Sequence, residues 1–250
     1  MVRSRLSDAS NHIGAQVFDI IAFDADDTLW HSEDLYARVQ AILRRLLSRY
    51  GDADEIDQKL YEIEMRNLPL YGYGIKAFAL SMIEAAIELS ERQIEADEIL
   101  QIIHAARDML NTDVRLLPHV QPTLAALSRS YALMLITKGD PRDQESKLAR
   151  SGIAHHFRYI EIVSDKTPEI LEAILAKYRI EPSRFLMVGN SLRSDILPVL
   201  ALGGQAIHIP YQITWAHEVV SQGEEQVQGY WTLDNVGLLP DWIERKARSA

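Results

Sequence analysis

The sequence predicts an α/β protein: a mostly parallel sheet covered by helices on both faces, interrupted after its first strand by a wholly helical insertion. Three observations predict it. From Leu117-Pro118 onward, short apolar runs alternate with helical segments, the pattern of a parallel sheet. Far upstream, residues 17–24 form a β-branched and aromatic run that ends in a cluster of carboxylates. Between the two, residues 32–115 carry helical periodicity and no strand, although a strand–helix–strand unit needs only about 30 residues.

The elements follow in order. Residues 17–24, VFDIIAFD, read as the first strand. Leu35, Val39, Ile42, Leu46, Leu47 and Tyr50 then fall on one face of a helix over 32–50, with Ser32 as N-cap and Glu33 and Asp34 in its first turn. Helices are expected over 53–66, 75–90 and 94–110, which leaves the stretch around Arg66 to Gly74 as a connecting loop. Helix 121–129 then leads to strand 131–137, helix 141–151 to strand 158–164, helix 168–178 to strand 185–189, and helix 194–202 to strand 205–210. A strand over 229–233 and a helix over 237–248 close the chain. The expected division is an α/β unit of residues 1–31 and 116–250, with 1–16 a leader, and a helical unit of 32–115.

Composition narrows the function classes. The chain has 250 residues, 47% hydrophobic and 25% charged, which excludes global disorder. Its 26 Lys+Arg against 36 Asp+Glu give a net charge of -10, and no basic block appears; nucleic acid and anionic membrane surfaces are therefore poor partners. The absence of cysteine excludes a disulfide scaffold, a thiolate nucleophile and a zinc ribbon. No apolar run is long enough to span a bilayer. Residues 1–16 carry Arg3 and Arg5 but no apolar core of a signal peptide, so a cytoplasmic location is expected.

The sharpest feature is Asp24-Ala25-Asp26-Asp27-Thr28, where the first strand ends. Ligands of open α/β sheets sit outside the carboxyl ends of the strands. In extended chain, Asp24 and Asp26 point to the same side. Two crowded carboxylates repel unless a cation or a shared proton intervenes, which suits a Mg²⁺ site and acid–base work. An Asx-rich turn capping a helix would use the same residues, and Asp27 is assigned to that turn. Further polar groups stand at later strand ends: Thr137-Lys138-Gly139, then Lys166, then Gly189-Asn190-Ser191 with Asp195. Four consecutive strand ends thus bring a hydroxyl, ammonium groups, an amide and carboxylates to one rim.

With these motifs in this order, the chain resembles the haloacid dehalogenase superfamily, in its phosphatase branch with a helical cap inserted after the first motif. Asp24-x-Asp26-x-Thr28 matches the first motif, Thr137 with Lys138-Gly139 the second, Lys166 the third, and Gly189-Asn190-Ser191 through Asp195 the fourth; the match covers about residues 17 to 235. The resemblance implies a Rossmann-like core, a Mg²⁺ cofactor and a small phosphorylated metabolite as substrate. It implies Asp24 as the nucleophile, Asp26 as general acid and base, Thr137 as a donor to phosphoryl oxygens, and Lys166 as the cation that lets two anions approach. It implies Mg²⁺ on Asp24, the carbonyl of Asp26, Asn190 and Asp195, and backbone N–H groups near Ala25–Asp26 and Lys138–Gly139 around the phosphate. Dehalogenase members lack a carboxylate at the position of Asp26, which favours a phosphate ester.

The fourth motif usually opens with Asp where this chain has Asn190, and the second often has Asn where it has Lys138; both changes move the site towards positive charge. The leaving group is expected to be chosen by the cap, with Arg66 and Tyr73 as substrate-binding residues in a loop that also holds Tyr71, Gly72, Gly74 and Lys76. The same tyrosines could pack within the cap and the same cations face solvent. Trp215, His217 and Glu218 resemble a polar helix start, and no H-E-x-x-H motif or hydrolase triad around Ser191 is present. A catalytically weak binding protein of the same fold and a haloacid dehalogenase-type carbon–halogen hydrolase are the competing readings.

Overall fold

The computed structural model describes residues 17–219 and 228–249; the expected leader, residues 1–16, lies outside them. Strands β1 (Ile20–Phe23), β2 (Ala132–Lys138), β3 (Tyr159–Val163), β4 (Phe185–Gly189), β5 (Gln205–His208) and β6 (Trp231–Thr232) form one sheet in the order β3-β2-β1-β4-β5-β6, and every pairing is parallel. Strand β1 is central because all four of its residues are apolar and buried, as a strand covered on both faces must be. Phe23 pairs with Leu135 on one side and Val188 on the other.

Alternate residues serve opposite faces of the sheet. Ile21, Phe23, Leu133, Leu135, Leu186 and Val188 pack towards α5 (Val120–Leu127) and α9 (Leu239–Ser249). Ile20, Ala22, Met134, Ile136 and Met187 pack towards α7 (Pro168–Tyr178) and α8 (Leu197–Ala201). The chain passes from β1 to β2 and β3 on one side, then returns to β4 on the other. A crevice therefore opens at the carboxyl ends of β1 and β4, the point where ligands of such sheets bind.

The insertion between β1 and β2 consists of α1 (Glu33–Leu47), α2 (Ala53–Tyr71), α3 (Ile75–Leu89) and α4 (Ala96–Asn111). These helices enclose their own apolar cluster, which includes Leu43, Leu47, Ile56, Leu60, Ile63 and Met82. The chain enters and leaves the insertion side by side: Trp30 bridges Leu116 antiparallel, His31 N–H donates to the Arg115 carbonyl at 3.0 Å, and Leu117 N–H donates to the Leu29 carbonyl at 2.9 Å.

Three local expectations change. Helix α2 runs five residues past Arg66, through Pro69, and stops at Gly72, whose φ of 69° leaves the helix while its N–H still donates to Leu68. A proline in the last turn removes a single hydrogen bond, and the helix continues through it. Ser32 makes no side-chain cap; Asp27 takes that role, accepting from Ser32 N–H at 2.8 Å and Glu33 N–H at 3.0 Å. The helix expected over 194–202 begins as a π-turn, Leu192–Ile196, before α8.

Candidate active site

Asp24 follows the last residue of β1, where its N–H donates to Val188 of β4 and its side chain is turned into the crevice. One carboxylate oxygen accepts from Lys166 Nζ and the other from Thr28 Oγ1 at 2.9 Å. Burial, then the neighbouring Asp195, push its pKa up to about 7 against the pull of Lys166. Lys166 stands just before the N-cap of α7 and is 3% exposed. Its ammonium also donates to Asp195 Oδ1 at 2.7 Å. Burial would discharge it, but Asp195 and Asp24 hold it protonated.

Asp195, expected to hold the metal with Asn190, bonds here to protein groups. Its second oxygen accepts from Ser191 N–H at 3.0 Å, so both oxygens are engaged in holding Lys166 and the π-turn. Gly189 makes room for it: a Cβ there would lie 2.2 Å from Asp195 Oδ2.

Asn190 lies where the hard oxygens converge. Its amide end is 3.1 Å from Thr28 Oγ1 and, with the amide turned to present nitrogen, would donate to Asp24 Oδ2 at 3.2 Å and to the Asp26 carbonyl at 3.1 Å. Presented as oxygen, the same side chain completes a set of carboxylate, peptide carbonyl and amide oxygens. That chemistry fits Mg²⁺, with Asp26 contributing its backbone. No group of three or more His, Asp or Glu side chains suited to a metal occurs among the described residues.

The Asp26 carboxylate is held by groups that the sequence did not disclose. Trp30 Nε1 donates at 2.6 Å, Gln144 Nε2 at 2.7 Å, and Lys147 Nζ at 2.7 and 2.9 Å. Burial alone would raise its pKa, yet Lys147, Gln144 and Trp30 together bring it below the usual carboxylate value. Gln144 and Lys147 are three apart on α6 (Pro141–Ser151), so they share a face. The spacing was readable, but nothing in it says that this face turns to the strand ends.

Thr137, at the end of β2, has its hydroxyl buried in the same crevice without a hydrogen-bond partner, and so does the side-chain oxygen of Gln144. A buried hydroxyl left unpaired is costly. Lys138 also lines the crevice. Its ammonium pairs with Glu218, donates to Ser194 Oγ at 2.8 Å, and lies 4.1 Å from the centre of the Tyr73 ring. Glu218 comes from a single 3-10 turn, Ala216–Glu218. Its burial is outweighed by Lys138 and two serine hydroxyls, so its pKa falls to about 2. The extra charge of Lys138 is therefore balanced within the wall.

Gly139 lines the crevice, but its N–H donates to Val163 at 3.2 Å rather than into the site. Its φ of 137° and the close Gln144 side chain explain the glycine. Tyr73 lines the site, its hydroxyl 3.3 Å from His217 Nε2. Arg66 does not reach it: helix α2 carries it outward, where it pairs with Glu84 and Glu88. Lys76 pairs with Asp140 across the boundary between insertion and core.

A family model described as haloacid dehalogenase-like hydrolase matches residues 18–203. A glyceraldehyde 3-phosphate phosphatase of Pyrococcus furiosus is 26% identical over 201 residues, 77% of this chain and 80% of that protein. The crystal structure of a haloacid dehalogenase-like family hydrolase from Xanthomonas campestris superposes with a TM-score of 0.83 at 37% identity, covering 94% of this chain and 95% of that one. A 2-haloacid dehalogenase from Pseudomonas syringae pv. tomato shares the fold, with a TM-score of 0.60 at 23% identity over 92% and 99% of the two chains.

Proposed function

The chain belongs to the haloacid dehalogenase-like hydrolase family, and on that premise we propose that it hydrolyses a small phosphomonoester through a phosphoaspartyl intermediate on Asp24. The observation that carries the reading is Asp26, a held carboxyl two residues from the nucleophile and in the same crevice as the unpaired Thr137 hydroxyl. A carbon–halogen hydrolase has no alkoxide to protonate and no use for a proton donor there.

In this mechanism Thr137 donates to a phosphoryl oxygen, and Lys166 offsets the charge of Asp24 so that an anion can approach it. An Asp24 oxygen attacks phosphorus and the bond from phosphorus to the leaving oxygen breaks; Asp26, mainly a carboxylate in the free protein, acts in its minor protonated form and gives that oxygen its proton. Asp26, now a carboxylate, then takes a proton from the water that attacks the phosphoaspartate, and Asp24 and inorganic phosphate are released. Mg²⁺ would be held by Asp24, the Asp26 carbonyl and Asn190, and supplies positive charge against the phosphoryl oxygens.

The test is phosphate release from an aryl phosphate, with Mg²⁺ and with a chelator, beside halide release from a 2-haloacid. Mg²⁺-dependent phosphate release supports the reading. Halide release without phosphate release overturns it. A thermal-shift titration adds a readout independent of turnover: Asn190→Asp adds charge among the converging oxygens, so Mg²⁺ should raise its melting temperature at lower concentration than it does for the wild type.

A further inference from the structure

Away from the sheet, the crevice continues into the insertion, and there its lining changes in kind. Among the described residues, seven carboxylates line it against two ammonium groups. Five of the seven are accounted for. Asp24 and Asp26 serve the chemistry, Asp195 and Glu218 are paired with Lys166 and Lys138, and Asp27 caps α1. The remaining two, Glu33 and Glu64, have no cation beside them. The charges acting on Glu33 are those of Asp26, Glu64 and Glu218, and Glu64 is met only by a hydrogen bond from Trp215.

Each of the first three helices reaches the crevice with residues three apart, hence on one face: Glu33 and Tyr36 on α1, Glu64 and Asn67 on α2, Phe78 and Ser81 on α3. Aromatic walls accompany the acids. Tyr36 and Phe78 meet edge to face with centroids 5.1 Å apart, and Tyr73 and Trp215 do so at 6.0 Å. The nearby cations of the insertion, Arg66 and Lys76, are spent elsewhere. At the other end, the buried and unpartnered Thr137 hydroxyl and Gln144 oxygen face the same space, which makes it a ligand cavity rather than an acidic cleft.

Resting on the phosphomonoesterase reading, we propose that the leaving group carries an organic ammonium: the substrate is an amino-alcohol phosphate, its phosphoryl group beside Thr137 and Lys166 and its cation between Glu33 and Glu64 against the aromatic walls. Unpaired, partly buried carboxylates are costly, and a bound ammonium supplies the missing partner. Aromatic rings attract such a charge as well, and Tyr36, Phe78 and Trp215 line the same cavity. Burial pushes both glutamates up to about 7, aided at Glu33 by Asp26, Glu64 and Glu218, so without a ligand they retain protons that a cation would displace. A leaving group with a second anion would meet two carboxylates and no free cation.

The experiment compares kcat/KM for two matched pairs of esters: ethanolamine phosphate with propyl phosphate, and choline phosphate with 3,3-dimethylbutyl phosphate. Within each pair the shape is kept and the positive charge removed. An aryl phosphate serves as the independent measure of phosphatase chemistry. The expected result is a preference of about tenfold or more for at least one cationic ester, the equivalent of ~1.4 kcal/mol. Glu33→Gln and Glu64→Gln should each lower that ratio severalfold; a ratio taken within one variant is insensitive to how much of it folds. Hydrolysis of the aryl phosphate with no cationic preference, or a preference that neither variant changes, overturns the ammonium site and leaves the phosphatase reading standing. No release from any ester overturns both.

Discussion

Asp24 and Asp26 are two residues apart, yet their surroundings drive them in opposite directions. Burial and Asp195 lift Asp24, while Lys147 and two neutral donors hold Asp26 down. Asp24→Asn should abolish phosphate release, because an amide is a poor nucleophile. Asp26→Ala should slow it by a factor on the order of 10²–10⁴, as loss of a general acid does, while phosphate binding by calorimetry persists. Thr137→Val removes a hydroxyl that has nothing to bond in the ligand-free protein. Its thermal midpoint should hold or rise, while kcat falls on the order of 10²–10³, the usual loss for one oxyanion donor. All three residues were legible in the sequence because the chemistry requires their types at strand ends. The burden on Lys138 was not: its partner Glu218 is 80 residues away in a segment with no periodic signal.

Helix α6 supplies the fixed geometry of Asp26. Asp140 caps it, accepting from Asp143 N–H at 3.0 Å, and Pro141 opens it, so Gln144 and Lys147 arrive at a defined angle. Lys147→Met should raise the pKa of Asp26 and shift the corresponding limb of the kcat/KM profile to higher pH; Lys147→Arg should restore it. A variant that loses activity without moving the profile would make Lys147 a packing residue only. The π-turn after β4 is equally exacting. Gly189→Ala places a methyl group inside the Asp195 carboxylate, so Lys166 should lose its second partner, with a drop in both melting temperature and turnover. The helices and strands themselves were readable from period and composition. The reach of α2 was not: the helix expected to end at 66 goes on through Pro69 to Tyr71. That single misreading is what brought Arg66 to the site on paper and not in space.

For the molecule as a whole, the unpaired acids of the crevice set a pH dependence. The unfolded chain releases the protons of Glu33 and Glu64 near 4.5, whereas the folded protein keeps them to about 7. Across that window the folded state binds more protons, so their contribution makes stability fall as pH rises and then level off. Glu64→Gln should therefore unfold later than the wild type at pH 8, by about 1–3 kcal/mol, and differ little at pH 4.5. Denaturant titrations at the two pH values measure this. The clasp formed by Trp30 and Leu116 has a different consequence, one of order in time. The partners of β1 begin at Ala132 and Phe185, so the central strand has no local neighbour to pair with. Contacts within the insertion are short in sequence and form early, while distant pairings wait on loop closure. Once the four helices have collapsed, the clasp delivers the end of β1 next to the start of β2, and the sheet can assemble. In stopped-flow refolding, the far-ultraviolet helical signal should therefore appear before the tryptophan fluorescence change, to which Trp30, 1% exposed at that junction, contributes beside the buried Trp242, and Trp30→Phe should diminish the later signal without abolishing it.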